Sequence, residues 1–246
     1  SSTAGQVIEN LAKKNNLILI EDAAECLGST VKGSKVGSQS DSAIFSFCGN
    51  KVLTTGEGGA VVTNSKKIYE KIKLIRSHGR QDSNNYFQNP SKSQYLSLGY
   101  NWRMSSLTAA LGISQLNKLD KIIKMRQKNA KQLISKLARF KEISILDPPS
   151  GYEHIYQMFT IKLNSKKIRD GLHTFLNKKR IFTKVYFFPI HLTEFYKKNF
   201  PNSGKSLSNT EKLSNQLLTL PLYPNMTSEE KQYLIESISE FFEKVK

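Results

Sequence analysis

Leu17-Ile18-Leu19-Ile20 is an uninterrupted apolar run with Asn15-Asn16 before it and Glu21-Asp22 after it. The run is too short for a stable helix, and its unbroken hydrophobicity predicts a strand buried on both faces of a parallel sheet. Residues 4–15 ahead of it set Val7, Ile8 and Leu11 on one side of a helix and Lys13 and Lys14 on the other, so the chain opens as helix then strand. Further strands are expected over residues 42–47 and 60–62, which places the chain in the α/β class. An opening of this kind resembles the middle of a domain, and residue 1 is Ser. An N-terminal portion is therefore expected upstream.

The strand over 42–47 carries Ser46 and leads into Cys48-Gly49-Asn50-Lys51, followed by Gly56-Glu57-Gly58-Gly59. A lysine between a buried strand and a glycine-dense turn has its ammonium facing a pocket, the setting in which lysine acts as a carbonyl-condensing nucleophile. The glycines precede a strand instead of opening a helix, and their spacing fails G-x-G-x-x-G, so they are not a dinucleotide fingerprint. They permit positive φ or close backbone approach. Asp22, at the carboxyl end of the first strand, stands where open α/β sheets collect ligands. It equally suits the cap of a following turn.

Residues 65–77 read as a basic amphipathic helix with Ile68, Ile72 and Ile75 toward a core. The polar stretch 78–98 is longer than ordinary connections, which favours a functional or interface loop. It ends at Gly99-Tyr100-Asn101-Trp102-Arg103-Met104, where Asn101 and Arg103 suit either an anion or a turn with a surface ion pair. Ser105 caps a helical region over 107–140, long enough for two helices or one bent one. The turn signal Leu146-Asp147-Pro148-Pro149-Ser150-Gly151 then divides residues 1–146 from a smaller domain over 147–246. In that domain strands are expected over 156–163 and 182–187, and helices over 166–178, 208–216 and 228–245. His191, after the second strand, reads by itself as a packing or surface residue more readily than as a catalytic one.

Composition bounds the partners. The net charge of +17 raises nucleic acid as a possibility, but the basic residues are scattered and no helix-turn-helix, zinc-finger or RNA-binding signature is present. A solvated basic surface that welcomes phosphate-bearing small ligands fits better. No run approaches the about 18 apolar residues of a membrane span, the first residues lack the order of a signal peptide, and the two cysteines have no metal-type spacing. A cytoplasmic protein without metal, membrane or nucleic-acid partner is expected.

Glu21-Asp22-Ala23-Ala24-Glu25, Gly28, Gly37, Phe45-Ser46-Phe47, Gly49-Asn50-Lys51, Gly56-Glu57-Gly58-Gly59, Gly99 to Met104 and Phe188-Pro189-Ile190-His191, in this order, resemble the DegT/StrS family of pyridoxal-phosphate sugar aminotransferases. The Gly-Asn-Lys form is similar to that of its perosamine-synthase-like branch. The resemblance implies a fold-type-I architecture, with residues 1–146 as the later part of the large cofactor-binding domain and linker helices, and 147–246 as the small domain. It implies a homodimer with the active site shared across its interface. The implied reaction moves an amino group, with glutamate as donor, to a keto nucleotide sugar for glycan synthesis.

By the same resemblance Lys51 bonds the aldehyde of pyridoxal 5'-phosphate, Asp22 pairs with its pyridine nitrogen, and Ser46 binds its phosphate. Glu25 lies beside the ring hydroxyl, Asn101 and Arg103 reach the neighbouring subunit's cofactor, and His191 faces substrate. Dehydratases of the family carry histidine at the lysine position, so Lys51 argues for transamination. A truncated, catalytically impaired relative with a regulatory or structural role is the other reading. The family draws part of its phosphate cradle from a region ahead of the strand at Leu17, so the 246-residue chain alone is expected to bind cofactor weakly.

Overall fold

The computed structural model describes residues 2–80, 95–146, 148–201 and 207–245. Most of the polar stretch expected to be a functional loop lies outside the described residues. The chain packs as two compact units, Ser1–Ile122 with Pro149–Gln157, and Ile123–Pro148 with Met158–Lys246. Each is built from two segments, because residues 149–157 return to the first unit before the chain re-enters the second.

In the first unit α1 (Ser2–Lys14) leads to β1 (Ile20–Asp22), which pairs in parallel with β4 (Ser42–Ser46), and β4 pairs antiparallel with β5 (Gly59–Val62). Between β1 and β4 lies a small hairpin, β2 (Thr30–Val31) and β3 (Ser34–Lys35), turned by Lys32 and Gly33 at positive φ. Two consecutive positive φ angles make the tight mirror-image turn that suits strand twist. α2 (Lys66–Arg76) starts at Ser65, whose hydroxyl accepts from the Ile68 N–H, and its three isoleucines are only half-buried.

The expectation of a strand buried on both faces fails at Leu17-Ile18-Leu19-Ile20. The strand is confined to Ile20–Asp22, and Ile18 is 75% exposed. Among the described residues β1 pairs with β4 alone and stands at the sheet's edge, and Leu17, Ile18 and Ile20 are exposed. Sequence hydrophobicity reports what a segment is suited to bury. Burial itself needs the neighbours.

The long helical region divides into α3 (Ser106–Leu116), capped by the Ser105 hydroxyl on the Thr108 N–H, and α4 (Leu119–Leu137). α4 begins in the first unit and continues into the second. There the antiparallel sheet β6 (Ile143–Ile145), β8 (Phe159–Leu163) and β9 (Leu217–Leu220) has β8 in its centre. The short β7 (Tyr152–Glu153) precedes β8 in the chain and pairs with β2 of the first unit's hairpin.

β8 alternates Phe159, Ile161 and Leu163 inward. α5 (Lys166–Lys178), after the cap Ser165, contributes Leu172 and Leu176 to this core. A short 3₁₀ turn (Ile190–Leu192), α6 (Glu194–Asn199) and α7 (Ser208–Ser214) precede α8 (Ser228–Val245). Leu234, Ile235, Ile238, Phe241 and Phe242 of α8 are buried. Its start is a capping box, with the Thr227 N–H donating to Glu230 Oε2 at 2.8 Å and the Glu230 N–H to Thr227 Oγ1 at 3.2 Å. The strand expected over 182–187 reduces to a single bridge between Lys184 and Thr219, and the partner strand, β9, was not anticipated. No helix among the described residues is long and apolar enough to cross a membrane.

Candidate active site

The first unit's sheet carries Asp22 as the last residue of β1 and Ser46 as the last residue of β4. The strands run parallel, with Asp22 opposite Ile44, so both side chains stand at the carboxyl end, where side chains can converge on a ligand. Asp22 Oδ1 accepts from the Ala24 N–H at 3.1 Å, which orients the carboxylate as it leaves the strand. The turn-capping reading of Asp22 is thus realised, and it does not compete with a ligand on the other oxygen.

Beyond Ser46 the backbone folds into a closed turn. The Cys48 N–H donates to Ser46 Oγ at 3.3 Å and the Lys51 N–H to the Cys48 carbonyl at 3.0 Å. The Thr55 N–H reaches the Phe47 carbonyl at 2.9 Å, and the Phe47 N–H reaches the Gly58 carbonyl at 2.8 Å. Val52 and Leu53, directly after the lysine, are buried and anchor the turn. Gly58 has φ +148°, and a Cβ there would lie 2.7 Å from Thr55 Oγ1. One on Gly59 would lie 2.7 Å from the Phe45 carbonyl oxygen. Both glycines are required by close approach.

Held this way, the Lys51 side chain is 14% exposed and its Nζ donates to Glu25 Oε1 at 2.9 Å. Glu25 is only three residues beyond Asp22, so one connecting segment supplies both carboxylates. Cys26 lies in the same group. Burial, reinforced by Glu25, Glu21 and Asp22 and offset in part by the Lys51 ammonium, pushes its thiol up from the ordinary value. Nothing in the local sequence marks Cys26, because its burial and the offsetting Lys51 depend on how separate segments pack.

This arrangement has a direct test. Alkylation of Cys26 by iodoacetamide should rise with pH only above the midpoint of an unperturbed thiol. Lys51→Met, which removes the offsetting cation, should move that midpoint further up. Peptide mass spectrometry over a pH series checks both, and an unshifted midpoint would show that the thiol does not sit in this group.

Asn101 and Arg103 occupy the segment after α2, where the Tyr100 and Trp102 N–H groups donate to the carbonyls of Ile75 and Arg76. Arg103 Nε donates to Asn101 Oδ1 at 3.2 Å, and both residues are exposed. They pair with each other and point to solvent. His191 belongs to the second unit. Its side chain is 10% exposed, with Nε2 3.1 Å from Glu211 Oε1, so it is an oriented histidine. The first unit thus carries Asp22, Glu25, Ser46, Lys51, Asn101 and Arg103, with Lys51 and Glu25 in contact. Among the described residues no three His, Cys, Asp or Glu side chains form a metal-holding group.

Residues 3–239 match the DegT/DnrJ/EryC1/StrS aminotransferase family. The chain belongs to this family. It is 34% identical over 240 residues to the GDP-perosamine synthase of Escherichia coli O157:H7, an alignment that covers 96% of this chain and 61% of that enzyme. Helicobacter pylori PseC, an aminotransferase involved in the biosynthesis of pseudoaminic acid, superimposes with a TM-score of 0.88 at 28% identity, over 97% of this chain and 63% of PseC. Spr1654 of Streptococcus pneumoniae, described as a putative sugar aminotransferase and solved in PLP and PMP forms, aligns at 25–26% identity with TM-scores of 0.81–0.82, over 94% of this chain and 59–60% of its own.

The DegT/StrS chain therefore has the fold-type-I architecture of these enzymes and spans about three-fifths of their length. A lysine amine on a carboxylate, a second carboxylate and a hydroxyl at one sheet end are the donor set that an aldehyde, a pyridine nitrogen and a phosphate require. The residues present fit pyridoxal phosphate.

Proposed function

We propose that the protein carrying this chain is a pyridoxal-phosphate aminotransferase. It moves an amino group from glutamate to a keto nucleotide sugar, of the 4-keto-6-deoxy kind, in the synthesis of a surface polysaccharide or related glycan. The observation that carries this reading is Lys51: a nearly buried amine held by Glu25, in the turn that follows a strand whose carboxyl end, with that of its parallel neighbour, carries Ser46 and Asp22. The GDP-perosamine named for the E. coli relative and the pseudoaminic acid named for PseC support the substrate class. The protein is placed in the cytoplasm.

In this reading Lys51 Nζ holds the cofactor aldehyde, Asp22 the pyridine N–H and Ser46 Oγ the phosphate. The bound cofactor supplies a ring that accepts the electrons released when a substrate carbon loses its proton. Asp22 keeps the ring nitrogen protonated, which sustains that electron demand. Glu25 Oε1, at hydrogen-bond distance from Nζ, can take a proton from the lysine and return it. Lys51, once its amine is free, moves the proton at the substrate carbon. The chain's positive field favours the phosphates of a nucleotide sugar.

The protein is proposed to act as a homodimer. α3 carries no charged and no buried side chain, and Leu107, Leu111, Ile113 and Leu116 are exposed, Leu107 to 85%. Uncharged, exposed apolar side chains on more than one side of the helix, near the exposed Trp102 in the chain, suit an obligate interface. It would bring Asn101 and Arg103 to the partner's cofactor.

The test is borohydride trapping of pyridoxal phosphate on the whole protein, followed by peptide mapping, with a parallel assay of 3-keto and 4-keto nucleotide sugars and glutamate. The cofactor mass is expected on the peptide containing Lys51, and amination on a 4-keto sugar. Trapping on other lysines alone would overturn the assignment.

A further inference from the structure

The turn that presents Lys51 has a tether from a distant part of the sequence. Gln157 Nε2 donates to the Asn50 carbonyl at 2.7 Å, across 107 residues. The carbonyl of Asn50 and the N–H of Lys51 belong to one rigid peptide plane. That N–H is itself bonded to the Cys48 carbonyl. The plane directly preceding the lysine Cα is thus held at both ends, by its own turn and by Gln157.

Gln157 is in turn well placed to act as a fixed point. Its segment is stitched to the first unit's hairpin: Thr30 and Val31 of β2 pair with Glu153 and Tyr152. The Lys32 N–H donates to the Gly151 carbonyl at 2.6 Å, and Thr30 Oγ1 donates to Glu153 Oε2 at 2.9 Å. Ile155 is 2% exposed and buries the segment's middle. Tyr156 has φ +53°, and its N–H donates to His154 Nδ1 at 3.0 Å. Burial lowers the pKa of His154 and keeps the ring neutral, so that Nδ1 can accept. The kink at Tyr156 leads directly to Gln157, and the chain re-enters the second unit at the next residue.

We infer that Gln157 is a positioning residue for Lys51, a side chain that fixes the peptide plane before the lysine so that its amine is held at Glu25 and toward the cofactor. The inference rests on the reading of Lys51 as the cofactor-bonding amine. Gln157 does not touch reacting atoms, and its effect passes through the backbone. A turn free to rotate about this plane would swing Nζ out of place, and small misplacements of a reacting group lower the rate steeply.

The experiment compares the whole protein with its Gln157→Met and Gln157→Glu variants. Met keeps the length and removes the donor, and Glu sets a carboxylate against the Asn50 carbonyl. In hydrogen exchange followed by mass spectrometry, peptides covering residues 47–55 are expected to exchange about fivefold faster in the Met variant, the factor for one lost hydrogen bond. The Gln157→Glu variant should loosen them more, and α5 and α8 should be unchanged in both. In turnover, kcat should fall about tenfold or more with KM for glutamate little altered.

Unchanged exchange at 47–55, or a rise shared equally by α5 and α8, would overturn the inference. If borohydride traps no cofactor on Lys51 of the unsubstituted protein, the functional reading fails on its own, because the exchange measurement needs no cofactor.

Discussion

Lys51→Ala is expected to lower transamination by the whole protein about 10³-fold or more, equivalent to about 4 kcal/mol on the barrier, and to leave the fold intact. Lys51 carries the turn's only side-chain amine, the group that condenses with an aldehyde to an imine and then carries a proton, so nothing else in the turn substitutes for it. The fold should survive because the turn is closed by backbone bonds and by buried Val52 and Leu53, none of which uses the lysine side chain. Glu25 loses its partner, but its side chain is 38% exposed and takes up water instead.

Lys51→Arg separates charge from nucleophilicity. It keeps the ion pair with Glu25, yet a guanidinium stays protonated and cannot condense with an aldehyde, so it should be as inactive as the alanine variant. Steady-state rates with glutamate and a keto nucleotide sugar, beside circular dichroism and melting curves, check both variants. An active Lys51→Arg protein would remove the lysine from the chemistry.

The second large effect is on stability. Ile161→Ala is expected to destabilise the protein by about 2–5 kcal/mol, a large share of a typical domain's stability. Ile161 is fully buried at the centre of β8, paired with Ile145 of β6 and Leu218 of β9. A void there is walled by strands on both sides, with buried Leu172 and Leu176 of α5 in the same core, which leaves little room to collapse. Ile18→Ser in the 246-residue chain should change stability by no more than about 0.5 kcal/mol, because Ile18 is already in water. Urea unfolding midpoints of the two variants measure the contrast. Equal losses would mean that the apolar run at Leu17 is packed in solution.

That contrast shows where sequence reading reaches its limit. The helices over 166–178 and 228–245 were legible to the residue, because Ser165 and Thr227 cap them and their apolar residues recur at helical spacing. The strand leading to Lys51 and the glycine-dense turn were legible for a similar local reason: apolar continuity, then residues that permit tight turning. Residues 182–187 looked as strand-like as β8 and form only one bridge. β9 was hidden behind a helix expected to run to residue 216, where α7 in fact stops at Ser214.

The sequence by itself determined the order of elements around the site, the lysine and its turn, the carboxylate at the end of the first strand, and a family resemblance that residues 3–239 bear out. Only the tertiary structure decided that Lys51 Nζ meets Glu25, that Cys26 shares their surroundings, that Gln157 holds the peptide before the lysine, and that Leu17, Ile18 and Ile20 stand exposed. The reason is one of range. Caps, periodicity and turns are set by residues a few positions apart and can be read along the chain. A hydrogen bond across 107 residues, a thiol raised by burial and nearby carboxylates, and the burial of a strand depend on which surfaces folding brings together.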